Sequence, residues 1–552
     1  MTMTSNEQSL FGRGSLGGPV LMEAARYWNG MAQYRKQRER CKRYTYGDQW
    51  KDRIYVDGQW MTEEDYIRRQ GNEPLKNNLI RRLVKNVLGH FREADDQMAC
   101  VARQPENRQL AQVMTRALHS NQRLNRSEEV NARSLEEFLI SGLVAQRKSF
   151  GRRQGRADCW TDCVMPDHFF IDSSMRDCRG WDVRCIGELH DIPFSALCRD
   201  FAHSAADYQR LRCVYSPADY LERLAVVCQQ FGESPQTMDF FTPADGLCRV
   251  VEVWRKEERE RMICHDTSTG EVYKIDAAHY DAMVEGKDHV RTEWFIDEEW
   301  HYYFLTPFGD VLEEGASPYA HGQHPYVFKA YPFIDGEVHS FVADVIDQQR
   351  YTNRLISLYD WVMRSSAKGV LLVPEECIPD GYSLDDIAEE WARFNGVIAI
   401  RARAGSVLPQ QISTHATNIG IKELLQTQLD FFEDISGVSG VLQGKRESAV
   451  TSGTLFAQQT ANAARSLIDI LDTFRGFLLD GANKDVRNMQ QFYDQPRTYV
   501  SDGLANQNHQ SAPSDQIRPS IPNVQRDSDY LTYIPEQMRD MVFDVELKKP
   551  AS

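Results

Sequence analysis

Apolar residues recur at helical spacing in the N-terminal part of the chain. Leu21, Ala24, Trp28 and Met31 follow one another at intervals of three or four residues, which places them on one helix face. The same pattern predicts helices over residues 20–46, 77–92, 109–144 and 193–230. Short strands around a turn are predicted at 165–174 and 181–189, and a small antiparallel sheet or barrel at 247–336.

Long helices flank a compact insert in the C-terminal half. A helix is predicted over 341–368 and ended by Gly369, because glycine readily ends helices. The insert, 370–413, is predicted to hold a strand starting at Val370, a helix over 383–394 and a strand over 396–402. Ser383, followed three residues later by Asp386, predicts an N-terminal cap for the helix.

A glycine-containing loop separates two further predicted helices. The first helix is predicted over 418–434, the loop over 435–453 and the second helix over 454–493, which would be about 60 Å long. The glycines at 437, 440, 444 and 453 predict a mobile loop, because glycine adopts backbone conformations that are costly for other residues.

The acidic composition limits the possible partners. The chain has 552 residues, a formal net charge of −16 and a pI near 5.4. These values argue against a protein that coats nucleic acid, because such a protein needs a broad basic surface; an acidic protein that surrounds DNA holds it only weakly. No apolar window is long enough for a membrane span, and the N-terminus lacks signal-peptide features. We therefore expect synthesis in a reducing cytoplasm and no membrane partner.

The cysteines do not form a strong metal-binding pattern. Ten of the twelve lie from Cys100 to Cys264, and the closest pair is Cys159 with Cys163. A zinc site needs a second close pair or nearby histidines, and neither accompanies this pair. We interpret the cysteines as buried thiols and predict no metal and no cofactor.

The segment GVLQGKR (440–446) resembles a phosphate-binding loop only superficially. Ser439 stands where that loop needs its first glycine, and Arg446 replaces the hydroxyl residue that would bind magnesium. The segment also follows a predicted helix, whereas a phosphate-binding loop follows a strand. Since no other catalytic motif stands out, we predict that the chain is not an enzyme.

Three segments carry a resemblance to a known family. They are MPDHFFIDSSMRDCRGWDVRCIGEL (165–189), HPYVFKAYPFIDGEVHSFVADVIDQQRYTNRLIS (324–357) and the region from SGVSGVLQGKRES to NMQQFY (436–493). They are similar to a wing segment, the entry to the first stem helix and the tunnel-loop region of bacteriophage portal proteins from short-tailed phages. The order of long helix, αβ insert, return helix, glycine loop and very long helix also resembles that family over roughly residues 20–500.

The resemblance implies an α+β portal fold that assembles as a ring. It implies mainly helical stem and tunnel helices, a mixed αβ wing with a small β-rich subdomain, and an αβ clip. The implied segments are an N-terminal wing (1–340, with the β-rich part at 247–336), a first stem helix (341–369), a clip (370–413), a second stem helix (414–436), a tunnel loop (437–453), a long tunnel helix (454–493) and C-terminal wing strands with a reduced or absent crown (494–552).

The resemblance also implies a function and its partners. A portal ring, most often of about twelve subunits, forms the channel at one capsid vertex through which double-stranded DNA is packaged and ejected. The implied partners are further copies of the chain, the major capsid protein, scaffold, the terminase large subunit, head–tail connector or tail proteins, and DNA bound without sequence specificity. The implied location is the virion, after assembly in the host bacterial cytoplasm.

Two groups of residues become candidate binding sites under this resemblance. The channel candidates in the loop are Gln443, Lys445, Arg446 and Glu447, with hinges at Gly437, Gly440, Gly444 and Gly453. The candidates for partner binding in the clip are Glu375, Glu376, Asp385, Asp386, Glu389, Glu390, Arg401 and Arg403. In both groups the charges could also serve only to keep an exposed segment in solution.

Other classes of protein remain open alternatives. Another structural head–tail connector is one, although connectors are usually far smaller than 552 residues. A scaffold-like helical protein lacks a β-rich region such as 247–336, and a DNA-binding regulator needs a basic recognition helix that this chain lacks. A DNA-processing enzyme is the least favoured alternative.

Overall fold

The computed structural model describes residues 17–93, 97–216, 220, 223–225, 235–280, 289–334, 336–368, 370–392, 397–401, 407–412, 420–438, 465–500 and 530–548. Helices and sheets are mixed, which confirms the α+β class. The chain forms two compact units. The sheet unit comprises Met1–Lys42, Val84–Ala343 and Arg465–Ser552, and the helix unit comprises Arg43–Leu83 and Asp344–Ala464.

The elements follow in chain order. The helices are α1 (Gly17–Gly30), α2 (Ala32–Tyr46), α3 (Glu63–Arg69), α4 (Leu79–Glu93), α5 (Arg108–Leu124), α6 (Ser127–Ser141), α7 (Phe194–Phe201), α8 (Ala205–Val214), α9 (Pro235–Phe241), α10 (Ile346–Lys368), α11 (Leu384–Ala392), α12 (Ile421–Ser436), α13 (Ile468–Phe492) and α14 (Pro535–Met538). The strands are β1 (Arg53–Val56), β2 (Gln59–Thr62), β3 (Gln97–Ala102), β4 (Leu143–Arg153), β5 (Arg156–Cys163), β6 (Phe169–Ile171), β7 (Cys185–Ile192), β8 (Cys248–Asp266), β9 (Val272–Asp276), β10 (Val290–Leu305), β11 (Val311–Ala316), β12 (Tyr326–Ala330), β13 (Val370–Leu372), β14 (Gln410–Ile412), β15 (Arg497–Val500), β16 (Tyr530–Tyr533) and β17 (Phe543–Lys548).

The largest sheet of the sheet unit has six antiparallel strands. Their order is β11–β10–β8–β7–β6, with β9 also paired to β8. One face packs against α1, whose predicted stripe of Leu21, Ala24 and Trp28 is buried with Val251 and Val253 of β8. Burying such a stripe against a sheet is the main stabilising contribution of an amphipathic helix.

A second sheet, in the order β12–β4–β5, packs against the other face of the six-stranded sheet. Leu143 and Tyr326 from the second sheet are buried together with Ile186 and Trp254 from the first. Helix α13 contacts β4, β5 and β12, and the two-stranded sheets β3–β17 and β15–β16 complete the described part of the sheet unit.

The helix unit is built from two distant parts of the sequence. The N-terminal part supplies the β1–β2 hairpin and α3, and the later part supplies α10, the β13–β14 pair, α11 and α12. Helices α10 and α12 pack against each other. None of the described helices is long and apolar enough to cross a membrane.

Several predicted elements are confirmed with changed bounds. The helix predicted over 109–144 is divided at Asn125 and Arg126 into α5 and α6, and Gly142, with a φ of 75°, lets the chain turn into β4. The helix predicted over 193–230 includes two shorter helices, α7 and α8, because Ser204 caps a new helix start by accepting from the Asp207 N–H.

The region 247–336 was predicted as an antiparallel sheet or barrel, and the antiparallel sheet is confirmed: β8 to β11 belong to an open sheet shared with β6 and β7, whereas β12 joins a different sheet. One other interpretation was wrong. The strand predicted over 396–402 is absent from its described residues, 397–401, and β13 pairs with β14 instead. A short apolar run over 397–400 suggested a strand there, but Val397 and Ile400 are exposed, so no neighbouring face buries them.

Candidate functional site

The αβ insert forms an acidic module, defined here as described residues 370–412. A two-stranded sheet, β13–β14, closes it at its base, and Cys377 is fully buried with its Sγ 3.3 Å from the Val407 carbonyl oxygen. The predicted cap of α11 is confirmed: Ser383 Oγ accepts from Asp386 N–H at 3.2 Å, and the Asp386 carboxylate accepts from Ser383 N–H at 2.8 Å. The reciprocal bonds fix where the helix begins.

The structure gives two of the predicted binding residues local structural roles. The backbone N–H of Ser383 and its hydroxyl hold the pKa of Asp386 below its usual value. Arg401 forms an ion pair with Asp380 and lowers the pKa of that carboxyl. Both residues therefore serve the fold of the module as well as its surface charge.

The remaining carboxylates of the module lie at its surface. Glu375, Glu376, Asp385 and Glu389 are exposed and Glu390 is half-buried, whereas Arg403 lies outside the described residues. The module also exposes apolar side chains, and Leu384 and Val397 are 63% and 82% accessible. An acidic surface with bare apolar groups is suited to protein contacts and unsuited to nucleic acid.

The paired helices α10 and α12 bury one face and expose another. Leu355 of α10 and Phe432 of α12 are buried. On α12, by contrast, Leu424, Phe431 and Ile435 are each 40% or more exposed, at positions seven and four residues apart. On α10 the exposed apolar residues are Tyr351, Leu358, Tyr359, Trp361 and Met363.

The candidate channel loop lies almost entirely outside the described residues. Gln443, Lys445, Arg446, Glu447, Gly440, Gly444 and Gly453 all fall there. Gly437 is described: it ends α12 with a φ of 65°, a left-handed conformation that favours glycine. The structure therefore shows where the loop leaves α12.

Comparison with known proteins identifies the family. The sequence model of the phage P22-like portal protein family matches residues 22–500 of this chain. The chain belongs to that family. A search of curated proteins gave no match.

Membership makes the chain a structural component of the phage capsid at the head–tail connection. The portal family is not a family of enzymes.

A polar stripe on α10 was not predicted from the portal chain's sequence. Gln349, Asn353 and Ser357 recur every four residues and face the segment 75–80. Gln349 Oε1 accepts from the N–H groups of Leu79 and Ile80 at 2.8 and 3.3 Å. The regular spacing is the signal that could have found it.

The other two residues of the stripe satisfy further backbone donors. Asn353 Oδ1 accepts from Asn77 N–H at 3.1 Å, and Ser357 Oγ accepts from Leu75 N–H at 3.1 Å. The side-chain oxygens of the stripe thus accept hydrogen bonds from backbone N–H groups of 75–80 that have no partner in a regular helix or sheet.

A second polar cluster lies between the two sheets of the portal chain. Glu188 and Glu252 stand opposite each other on β7 and β8, and together with His190 they place ligand-type atoms within 4.8 Å of one another. His190 Nε2 lies 2.7 Å from Glu252 Oε2, while Trp254 N–H and Arg147 bond the other carboxylate oxygen at 2.7 and 3.1 Å. Arg147 and a protonated His190 balance the two carboxylates, so the cluster fits a buried ion-pair network better than a metal site.

The surroundings shift the pKa values of Glu188, His190 and Glu252 in different directions. Burial raises the pKa of Glu188 to about 7. Burial alone would also raise the pKa of Glu252, but Arg147 and His190 hold it at about 2. Burial lowers the pKa of His190, yet its bond to Glu252 raises that pKa overall.

The Glu188–His190–Glu252 cluster is therefore expected to contribute less to the stability of the sheet unit as the pH rises from 5 to 8, whereas His321 and His324, whose pKa values burial lowers, act in the opposite direction. The contribution of Glu188 is present below its usual pKa of 4.5 and is lost as the pH rises through 7. His190 acts in the same direction above 6.5, whereas Glu252 destabilises only below 4.5. The loss should be roughly 2–3 kcal/mol, at about 1.4 kcal/mol per pKa unit.

Melting temperatures at pH 5, 6, 7 and 8 test this expectation. The unaltered protein should lose stability relative to Glu188→Gln as the pH rises, while its difference from Glu293→Gln, at an exposed position of the same sheet, should stay constant. Parallel curves for Glu188→Gln and the unaltered protein would show that Glu188 does not titrate in this range.

Proposed function

We propose that this chain is the subunit of a portal ring through which double-stranded DNA enters and leaves the capsid. In this proposal residues 341–369 and 414–436 are the stem, 370–413 the clip, 437–453 the tunnel loop, 454–493 the long tunnel helix, 1–340 the wing and 494–552 its C-terminal strands. The ring most often has about twelve copies.

The exposed apolar stripes of the paired helices carry the proposal. Leu424, Phe431 and Ile435 lie along one face of α12, and Tyr351 and Leu358 lie along α10. A folded subunit rarely leaves such contiguous apolar faces in water, because each buried side chain contributes about 1.5–3 kcal/mol. Neighbouring copies can cover these faces in a head-to-tail ring.

The charge of the chain suits a channel for DNA. With −16 per copy, a ring would surround the duplex with a field that prevents tight binding. Lys445 and Arg446 in the proposed tunnel loop would be local phosphate contacts, flanked by Gln443 and Glu447. Salt would limit their reach to about 8–10 Å.

The acidic module is proposed as the docking surface for the packaging terminase and later for head–tail connector or tail proteins. Glu375, Glu376, Asp385 and Glu389 are exposed there, so basic surfaces on these partners would complement them. The major capsid protein and scaffold would contact the wing.

The native mass of the purified protein, with images of the same sample, tests the ring. A species near 760 kDa, about twelve times 63.6 kDa, with a central hole is expected. Leu358→Glu with Phe431→Glu should give smaller species, because it places charges in the apolar faces. Gln426→Glu adds a charge at another exposed position of α12 and should leave the ring intact.

A small oligomer without a central hole, formed even with capsid and scaffold proteins present, contradicts the proposal. If the Leu358→Glu and Phe431→Glu variant still forms rings, the ring assembly stands, but the paired helices are not its main contact.

A further inference from the structure

The outer half of the β8–β10 hairpin has two unlike faces. We define this outer half as residues 256–266 of β8 and 290–300 of β10, which pair in antiparallel register. Residues directly opposite each other in such a pair point to the same side of the sheet. The register therefore assigns each side chain to one face.

Ion pairs engage several carboxylates of the first face, although Glu293 has no basic group within 4 Å among the described residues. Arg261 of β8 lies 3.0 Å from Glu299 of β10, and Arg259 lies 3.6 Å from the same carboxylate. Lys274 of the neighbouring strand β9 lies 3.0 Å from Asp297. On this face each of these carboxylates has a basic partner.

The second face, called the acidic–apolar face, is not neutralised in this way. Trp294 and Ile296 are 54% and 52% exposed, and Met262 stands opposite Trp294. Glu260 stands opposite Ile296, Glu258 is its neighbour along β8, and both are exposed. Within the described ranges neither of these glutamates has a basic group within 4 Å, whereas Glu298 on the same face is paired with Lys256 and Arg184.

We propose that the acidic–apolar face binds a basic amphipathic segment of a different protein. Two exposed apolar side chains provide anchors, and two uncompensated carboxylates select for lysine or arginine. Nucleic acid, with its negatively charged phosphates, would be repelled by the glutamates. The inference is independent of the ring.

The dimensions of the face match such a segment. Trp294 and Ile296 are two residues apart on one strand, which separates them by about 7 Å, and Glu260 lies about 5 Å across the pair from Ile296. A helix repeats its side chains every 5.4 Å or so along its axis, so two apolar residues one turn apart can contact both anchors. Lysines beside them would reach the glutamates.

An open recess beside Glu260 offers room for one such basic side chain. It has a volume of about 470 Å³ and is lined by Arg259, Glu260, Asp276, Ala277 and Ala278. Arg259 and Asp276 belong to the first face by register, so Glu260 is the carboxylate that the acidic–apolar face contributes to the recess.

The probe for the test is a fluorescently labelled helical peptide of alternating leucine and lysine pairs, compared with the same peptide carrying glutamate for lysine. Fluorescence anisotropy with the full chain measures binding at low and moderate salt. We expect the lysine peptide to bind, to weaken as salt rises, and the glutamate peptide not to bind.

Matched variants locate the binding. Glu258→Lys with Glu260→Lys, and separately Trp294→Ser with Ile296→Thr, should each weaken binding by about tenfold or more. Glu293→Lys and Val272→Thr change exposed residues of the first face and should have little effect. Far-UV circular dichroism checks that all four variants fold.

Each outcome bears on the proposal. The proposal is supported if only the two variants of the acidic–apolar face lose peptide binding and the bound peptide protects 256–262 and 290–298 from hydrogen exchange. No binding of the lysine peptide, or equal weakening by the first-face variants, overturns it.

Discussion

Replacing Lys148 with methionine is expected to destabilise the sheet unit by about 3–5 kcal/mol, because it leaves a buried carboxylate without its partner. Lys148 Nζ lies 2.7 Å from Asp485 Oδ2 and 2.9 Å from Thr161 Oγ1. Both charged side chains are less than 8% exposed. Methionine keeps the length of the side chain, so the lost ion pair dominates the effect.

The destabilisation should depend on pH. Burial raises the pKa of Asp485, and loss of the ammonium group would raise it further. A carboxyl with a raised pKa stabilises the fold below its ordinary pKa and loses that contribution as the pH rises. The variant should therefore be closer to the unaltered protein at pH 5 than at pH 8.

Urea unfolding at both pH values measures the effect. The double variant Lys148→Met with Asp485→Leu should recover most of the stability, because it removes both charges from the core. Arg153→Met removes an exposed partner of Asp162 and should cost less than about 1 kcal/mol. A loss below that value for Lys148→Met, or no recovery in the double variant, would contradict the interpretation.

The second large effect is expected for Gln349→Ala in the helix unit. Gln349 is fully buried, and its amide N–H also donates to the Asn77 carbonyl at 2.7 Å. Alanine leaves the Ile80 N–H without its partner, while the Leu79 N–H and the Asn77 carbonyl each lose one bond but keep the 2.9 Å bond between them. At about 1–3 kcal/mol for a buried unsatisfied group, with a smaller cost for the two weakened groups, we expect a loss of roughly 2–3 kcal/mol.

Hydrogen exchange over residues 75–83, together with urea unfolding, measures this loss locally and globally. Exchange in that segment should accelerate strongly in Gln349→Ala. Asp347→Ala, at an exposed position on the same helix, should leave exchange in 75–83 unchanged. If exchange there is the same in all three proteins, the stripe does not hold the segment in place.

Local signals in the sequence were sufficient for several elements. The stripe of Leu21, Ala24 and Trp28 predicted a buried helix face, and Ser383 with Asp386 predicted the start of α11. In each case the residues that decide the structure lie within a few positions of one another. Family membership, confirmed over residues 22–500, likewise followed from the order of several such segments.

Contacts between distant residues were not predictable in this way. Gln349 looks like an ordinary surface residue of an amphipathic helix, and its partners at 77–80 lie some 270 positions earlier. For the same reason the compact helix unit includes Arg43–Leu83, within the range that sequence analysis placed in the wing. A local apolar run also suggested a strand at 396–402, although no second strand pairs with its described part.

The candidate binding residues were predicted only as a set of charges. Sequence spacing could not show that Arg401 is engaged by Asp380, or that Asp386 bonds the start of α11. It also could not reveal the acidic–apolar face, because the contrast between the two faces depends on the register of β8 with β10.

The polar stripe of α10 also has a consequence for biosynthesis. Leu79 emerges from the ribosome 270 residues before Gln349, which is roughly 15–55 s at 5–20 residues per second. Throughout that interval the backbone of 75–80 must be satisfied by water or by a chaperone, because its eventual partner has not been translated. Folding of the helix unit is thus necessarily late, and a nascent chain stalled before Gln349 should present 43–83 to proteases.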